Sequence, residues 1–157
     1  QNKGFHVELV DDIRWLRCDI KSTAMLANVL MNDEAVSKGA ATAILTRDGF
    51  ISEGSASNIF LVDKKGTVST PPLTNLCLPG VTRQLTIELV NSLSWTLKEE
   101  NIPNESIFNA QEVWITSTTK EIFPVTKVNN VVIGSGKAGN YWNQINDKFQ
   151  QLKKSYD

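Results

Sequence analysis

The chain has 157 residues, of which 41% are apolar and 21% charged, enough for one domain with its own core and ordinary for a globular protein. A net charge of −1 excludes long-range attraction to nucleic acid or to an anionic membrane surface, so any phosphate must be held by local groups. No apolar run approaches the roughly 20 residues of a membrane helix, no secretory leader is visible, and Cys18 and Cys77 fit neither a metal spacing nor a disulfide framework, so a reducing, cytoplasmic compartment is the expectation.

Phe5 to Val10 alternates as a strand does. The following run, Asp11 to Ser22, mixes charge with Ile13, Trp15 and Leu16 more densely than a solvent loop usually does. Thr23 to Lys38 reads as an amphipathic helix whose apolar residues are Leu26, Ala27, Val29 and Leu30, with Gly39 at its C-terminal end. Ala41 to Thr46 reads as a buried strand, Arg47-Asp48-Gly49 as a hairpin turn and Phe50-Ile51-Ser52 as the returning strand. Glu53-Gly54-Ser55-Ala56-Ser57-Asn58 then leads an acid and small residues into the apolar run Ile59 to Val62. After the charged turn Asp63 to Gly66 comes a short strand ending Val68-Ser69-Thr70. A loop with Pro71 and Pro72 leads to Leu78-Pro79-Gly80-Val81-Thr82-Arg83, the start of a helix expected to reach Trp95, with Leu85, Leu89 and Leu93 on its buried face.

Trp95 to Glu99 could be a strand, and Glu105 to Ala110 a short helix entered from Pro103. Glu112 to Thr116 is a strand running into Ser117-Thr118-Thr119. Glu121 to Val128 is another, whose Pro124 points to an edge or a bulge. Asn129-Asn130 turns it back into Val131 to Ile133, glycines 134, 136 and 139 mark a loop, and Tyr141 to Leu152 is a closing helix. Strands outnumber helices and come in hairpins, so the expected class is α+β, one curved mixed sheet with about three flanking helices in a single domain.

Four features carry candidate chemistry. The first N–H groups of a helix lack internal partners, so Gly80-Val81-Thr82 offers either an anion site with a hydroxyl or a plain cap. Ser117-Thr118-Thr119 offers hydroxyls at a strand exit, for a second uncharged anion site or an ordinary polar turn. Glu53 beside an apolar strand needs a partner, a protonated ring nitrogen or a nearby arginine, because burying it alone is costly. Lys21 lies between apolar segments, where an amine can serve as a nucleophile or simply lay its stem on apolar surface. His6, the one histidine, reads as structural, and no His/Cys cluster proposes a metal. The three late glycines lack the strand-to-helix setting of a dinucleotide fingerprint.

Taken together, Glu53, Ser55, Asn58, Ile59 and Phe60, then Val68 and Thr70, then Leu78, Gly80, Val81 and Arg83 keep the gaps of a long pattern that resembles the class IV aminotransferase family of pyridoxal-phosphate enzymes. Arg14 to Ser22 and Thr116 to Glu121 look most like its D-amino-acid branch. The resemblance spans nearly the whole chain and implies the curved pseudo-barrel of the family's large domain. It also implies pyridoxal 5'-phosphate as cofactor, a Schiff base on Lys21, which then moves the proton, and Glu53 on the pyridine nitrogen. It further implies Leu78 against the ring, Val81, Thr82, Ser117 and Thr118 on the phosphate, and Arg14 ordering the polar network near the ring. Residues 1–157 would be the C-terminal cofactor-binding domain, with the smaller N-terminal domain outside this chain. The implied partners are an amino acid such as D-alanine and a 2-oxo acid, with a homodimer as the assembly. Branched-chain transamination, elimination of pyruvate by an aminodeoxychorismate lyase, and a non-catalytic cofactor-binding fragment are the alternatives.

Overall fold

The computed structural model describes residues 4–155. The first strand, β1 (Phe5–Asp11), leads through an irregular segment into helix α1 (Leu26–Ser37). The hairpin β2 (Thr42–Arg47) and β3 (Phe50–Gly54) turns on Asp48 and Gly49, both at positive φ, as the Asp-Gly pair requires. A short turn leads to β4 (Asn58–Val62) and β5 (Val68–Thr70), then α2 (Val81–Ser92). Two short strands, β6 (Leu97–Glu99) and β7 (Ile102–Pro103), precede the single-turn α3 (Ser106–Asn109). The chain closes with β8 (Glu112–Ser117), β9 (Glu121–Val128), β10 (Val131–Val132) and α4 (Asn140–Lys154). Among the described residues no helix is long and apolar enough to cross a membrane.

All strands join one mixed sheet in the order β6-β5-β4-β8-β9-β1-β2-β3-β7, with β10 beside β9. The run from β4 to β3 curls until its ends meet. There the ladder is replaced by one isolated bridge, Gly54 to Ser57, with the Gly54 N–H on the Ser57 carbonyl at 2.6 Å. The result is a six-strand ring closed at a seam by its own turn. A Cβ on Gly54 would lie 2.0 Å from Ser57 Oγ, so any side chain here would have to displace that hydroxyl. Val7, Ile44, Ile51, Ile59, Ile115 and Val125 fill the interior of the curl, with Ile107 of α3 added from one end. Outside it, Met31 and Ala35 of α1 cover Val10, Ala43 and Leu45, while α2 and α4 cover Phe60, Val62, Trp114 and Ile122.

Several boundaries differ from the sequence expectation. α1 begins at Leu26 rather than Thr23, with no side-chain cap at Met25. Its apolar residues are not all buried: Leu26 is 72% exposed and Val29 59%, because they are spread around the helix and the sheet covers only its Met31 and Ala35 side. α2 stops at Ser92, since Ser94 takes a left-handed conformation (φ 55°) that ends the helix. Pro103 ends a two-residue strand instead of opening a helix. Pro124 lies in the middle of the sheet between β8 and β1, not at an edge. The irregularity it signalled is beside it, where Phe5 pairs Val125 but His6 pairs Lys127.

Candidate functional site

The site is built on a register shift. Between β2 and β3, Leu45 pairs Glu53 and Thr46 pairs Ile51, which leaves Ser52 without a partner. Paired residues share a face of the sheet, so this bulge turns Glu53 to the side of Leu45, under α1, whereas Ile51 points into the ring. Strict alternation would have sent Glu53 the same way as Ile51. Asn58 reaches the helix-bearing face too: it shares a face with Phe60, two residues on, which packs under α2, and Thr116 is its partner across the ladder.

Glu53 is 4% exposed, and both of its oxygens have donors. Arg14 Nη1 donates to Oε1, and Oε2 accepts the Leu78 N–H at 3.1 Å and Asn58 Nδ2 at 3.2 Å. Asn58 Nδ2 also lies 2.8 Å from the Leu78 carbonyl, so it ties β4 to the loop before α2. The arginine beside Glu53 is Arg14, the residue expected to order the polar network of the site. Burial raises the Glu53 carboxyl above its ordinary value; Arg14 and the Leu78 N–H pull it back only in part, and the nearby charge of Asp12 adds to the rise.

Arg14 is itself held from behind. Asp12 Oδ1 accepts Arg14 Nε at 2.9 Å and Oδ2 accepts Nη2 at 2.8 Å. Burial disfavours the Asp12 anion, but the Arg14 guanidinium, with Arg47 beyond it, outweighs that and holds the carboxyl below its ordinary value. Burial likewise disfavours the Arg14 cation, and the two carboxylates more than offset it, so Arg14 stays charged. Cys77, beside Asn58, is pushed up to about 12 by burial and by the Glu53 charge, which leaves it an inert thiol.

Over the seam between β3 and β4 lies a cavity of about 750 Å³, between the starts of α1 and α2. Arg14, Lys21, Glu53 and Leu78 line it, and so do Val81 and Thr82 at the head of α2 and Ser117 and Thr118 at the exit of β8. All the sequence-predicted site residues therefore meet in one place, although they come from well-separated stretches of chain. Lys21 is on the exposed wall of the irregular segment. His6 lies on β1 with its ring nitrogens beside Glu8 and the Gly39 carbonyl, and does not line the cavity. Sequence reasoning passed over Asp12, which read as part of a charge run. Asn58 and Thr116 were legible as pattern residues but given no role; the β4–β8 ladder shows that they share a face.

The donors present fit pyridoxal phosphate. The head of α2 has no side-chain cap, and the N–H groups of Val81, Thr82 and Arg83 precede its first internal bond, from the Gln84 N–H to the Gly80 carbonyl at 3.0 Å. Ser57 Oγ and Thr116 Oγ1, both on the cavity, are buried without a partner. A buried carboxylate, an amine on the wall and uncharged donors suit a ring nitrogen, a carbonyl carbon and a phosphate in turn.

Comparison with known proteins places the chain among aminotransferases. A family model described as amino-transferase class IV matches residues 3–128. The D-alanine aminotransferase of Bacillus licheniformis is 42% identical over 139 residues, which cover 88% of this chain and 49% of that protein. The branched-chain amino acid aminotransferase of Escherichia coli superposes with a TM-score of 0.84 at 30% identity, over 96% of this chain and 52% of its own. That of T.th., solved with pyridoxamine 5'-phosphate, gives a TM-score of 0.89 at 25% identity, over 96% of this chain and 50% of its own. The chain spans about half the length of the relatives it matches.

Proposed function

The chain belongs to the class IV aminotransferase family, and we propose that the whole protein is a pyridoxal-phosphate-dependent transaminase acting on a small amino acid, D-alanine or similar, with a 2-oxo acid as acceptor. The observation that carries this reading is the convergence of Lys21, Glu53, the uncapped start of α2 and Ser117-Thr118 on one cavity. When bound, pyridoxal phosphate supplies a sink for the electron pair left when the amino acid's α-carbon loses its proton. The Lys21 Nζ takes and returns that proton. Glu53, fixed by Asn58 and the Leu78 N–H, would be the anion that keeps the ring nitrogen protonated. Leu78 would supply an apolar contact to the ring. The N–H groups of Val81 and Thr82 and the hydroxyls of Thr82, Ser117 and Thr118 would hold the phosphate, and Arg14 orients Glu53.

The D-alanine preference rests on the names of the relatives similar over most of this chain. Branched-chain amino acids are the second reading, favoured by the solved structures of similar shape. A cytoplasmic homodimer is the assembly that fits, with the exposed apolar side of α1 as its contact. The test is made on the complete polypeptide incubated with the cofactor. Borohydride should fix the cofactor on Lys21, and Lys21→Ala should abolish the fixation and lower turnover by roughly 10²–10⁴-fold. Fixation on another lysine, or none, overturns the reading. A side-by-side screen of D- and L-alanine, branched-chain amino acids and aminodeoxychorismate then decides the substrate.

A further inference from the structure

We infer that Asp12 is a positioning residue of this site: it clamps Arg14 so that a single guanidinium nitrogen reaches Glu53, and its buried charge leaves Glu53 free to attract a cationic ring nitrogen. The inference rests on the cofactor reading above. A lone Arg–Glu pair is electrically closed, since the carboxylate has its cation and little attraction left for a second one. Here one guanidinium is divided between two carboxylates. Asp12 takes Nε at 2.9 Å and Nη2 at 2.8 Å in a fork, so Nη1 is the nitrogen left for Glu53.

The Asp12 side chain has no accessible surface. Its backbone N–H is fixed on the Thr46 carbonyl at 2.8 Å, and its Oδ2 accepts the hydroxyl of Ser52 at 3.2 Å, the same bulged residue that turns Glu53 toward the site. Its neighbour Asp11 is exposed, as a solvated charge run would be. The groups facing Glu53 are Arg14, Asp12 and Cys18 from the segment after β1 and Cys77 from the loop before α2. Arg47 stands behind Asp12 at 3.2 Å, and Lys21 is on the cavity wall. With Asp12 neutral, the whole charge of Arg14 would fall on Glu53, and the guanidinium would lose the fork that aims it.

The experiment uses the complete polypeptide with ¹³C-labelled glutamate carboxyls. In the cofactor-free protein, Asp12→Asn should lower the titration midpoint of Glu53. Arg47→Gln, which removes the rim cation and leaves the fork, should raise it. With cofactor, Asp12→Asn should lower kcat roughly tenfold to hundredfold with little change in KM, as loss of an outer contact to a working group does. A Glu53 midpoint unmoved by both variants, or moved the same way by both, overturns the inference and leaves Asp12 a merely structural anion. Should borohydride fail to mark Lys21, the cofactor reading falls, while the two midpoints still decide whether Asp12 governs Glu53.

Discussion

Glu53 and Asp12 share the guanidinium of Arg14 and obey opposite pH rules. Asp12 is held below its ordinary value of 3.8, so its contribution to stability is complete above that pH and is lost as pH falls through its lower folded value. Glu53 is raised above 4.5, so its contribution is greatest below that pH and fades as pH rises through the folded value. In the cofactor-free protein the ionised Glu53 therefore weighs against folding at neutral pH. Asp12→Asn leaves the buried Arg14 short of a partner and should cost about 3 kcal/mol at neutral pH. The difference from the parent should shrink steadily in acid, below 3.8. Urea unfolding across that range measures it, and a cost independent of pH would mean that the contact is steric rather than ionic.

At the scale of elements, what was legible in the sequence is what is decided locally. The Asp48-Gly49 hairpin and the glycine-led start of α2 read correctly because turn chemistry and apolar period set them within a few residues. α1 was legible as a helix but not in its burial, since a pattern says which residues are apolar and not what covers them. The bulge at Ser52 left no mark in composition at all; it is a matter of counting across a ladder. α4 shows a further nonlocal device. Glu112 of β8 accepts the N–H groups of Tyr141 at 2.9 Å and Trp142 at 2.8 Å, and of the Trp114 indole at 3.0 Å, so a buried strand carboxylate caps a helix that follows in sequence. Gly139 is needed there, since a Cβ would lie 2.1 Å from Glu112 Oε1. Glu112→Ala should leave three donors unpaired and destabilise by about 3 kcal/mol, read from thermal melts. A loss below about 1 kcal/mol would show that water replaces the cap.

Over the whole molecule, the outer surface divides between a finished side and an unfinished one. α2 and α4 seal β4, β8 and β9, whereas Leu26, Val29 and Leu30 of α1, with Trp15 and Leu16 beside the cavity, stand exposed. Such a band marks a contact surface. If it joins two copies, the complete protein should sediment as a dimer, and Leu26→Asp with Val29→Asp should give monomers whose secondary structure is intact. An unchanged dimer would place the contact elsewhere. The six-strand ring meanwhile puts the cavity across its own seam, where one bridge, Gly54 to Ser57, stands in for a ladder. The unpaired Ser52 just before that seam has a consequence of arithmetic rather than chemistry. Beyond what its hydroxyl holds, losing that one residue would act like a frameshift in space, rotating an acid from the cavity wall into oil while every other letter of the pattern stayed the same.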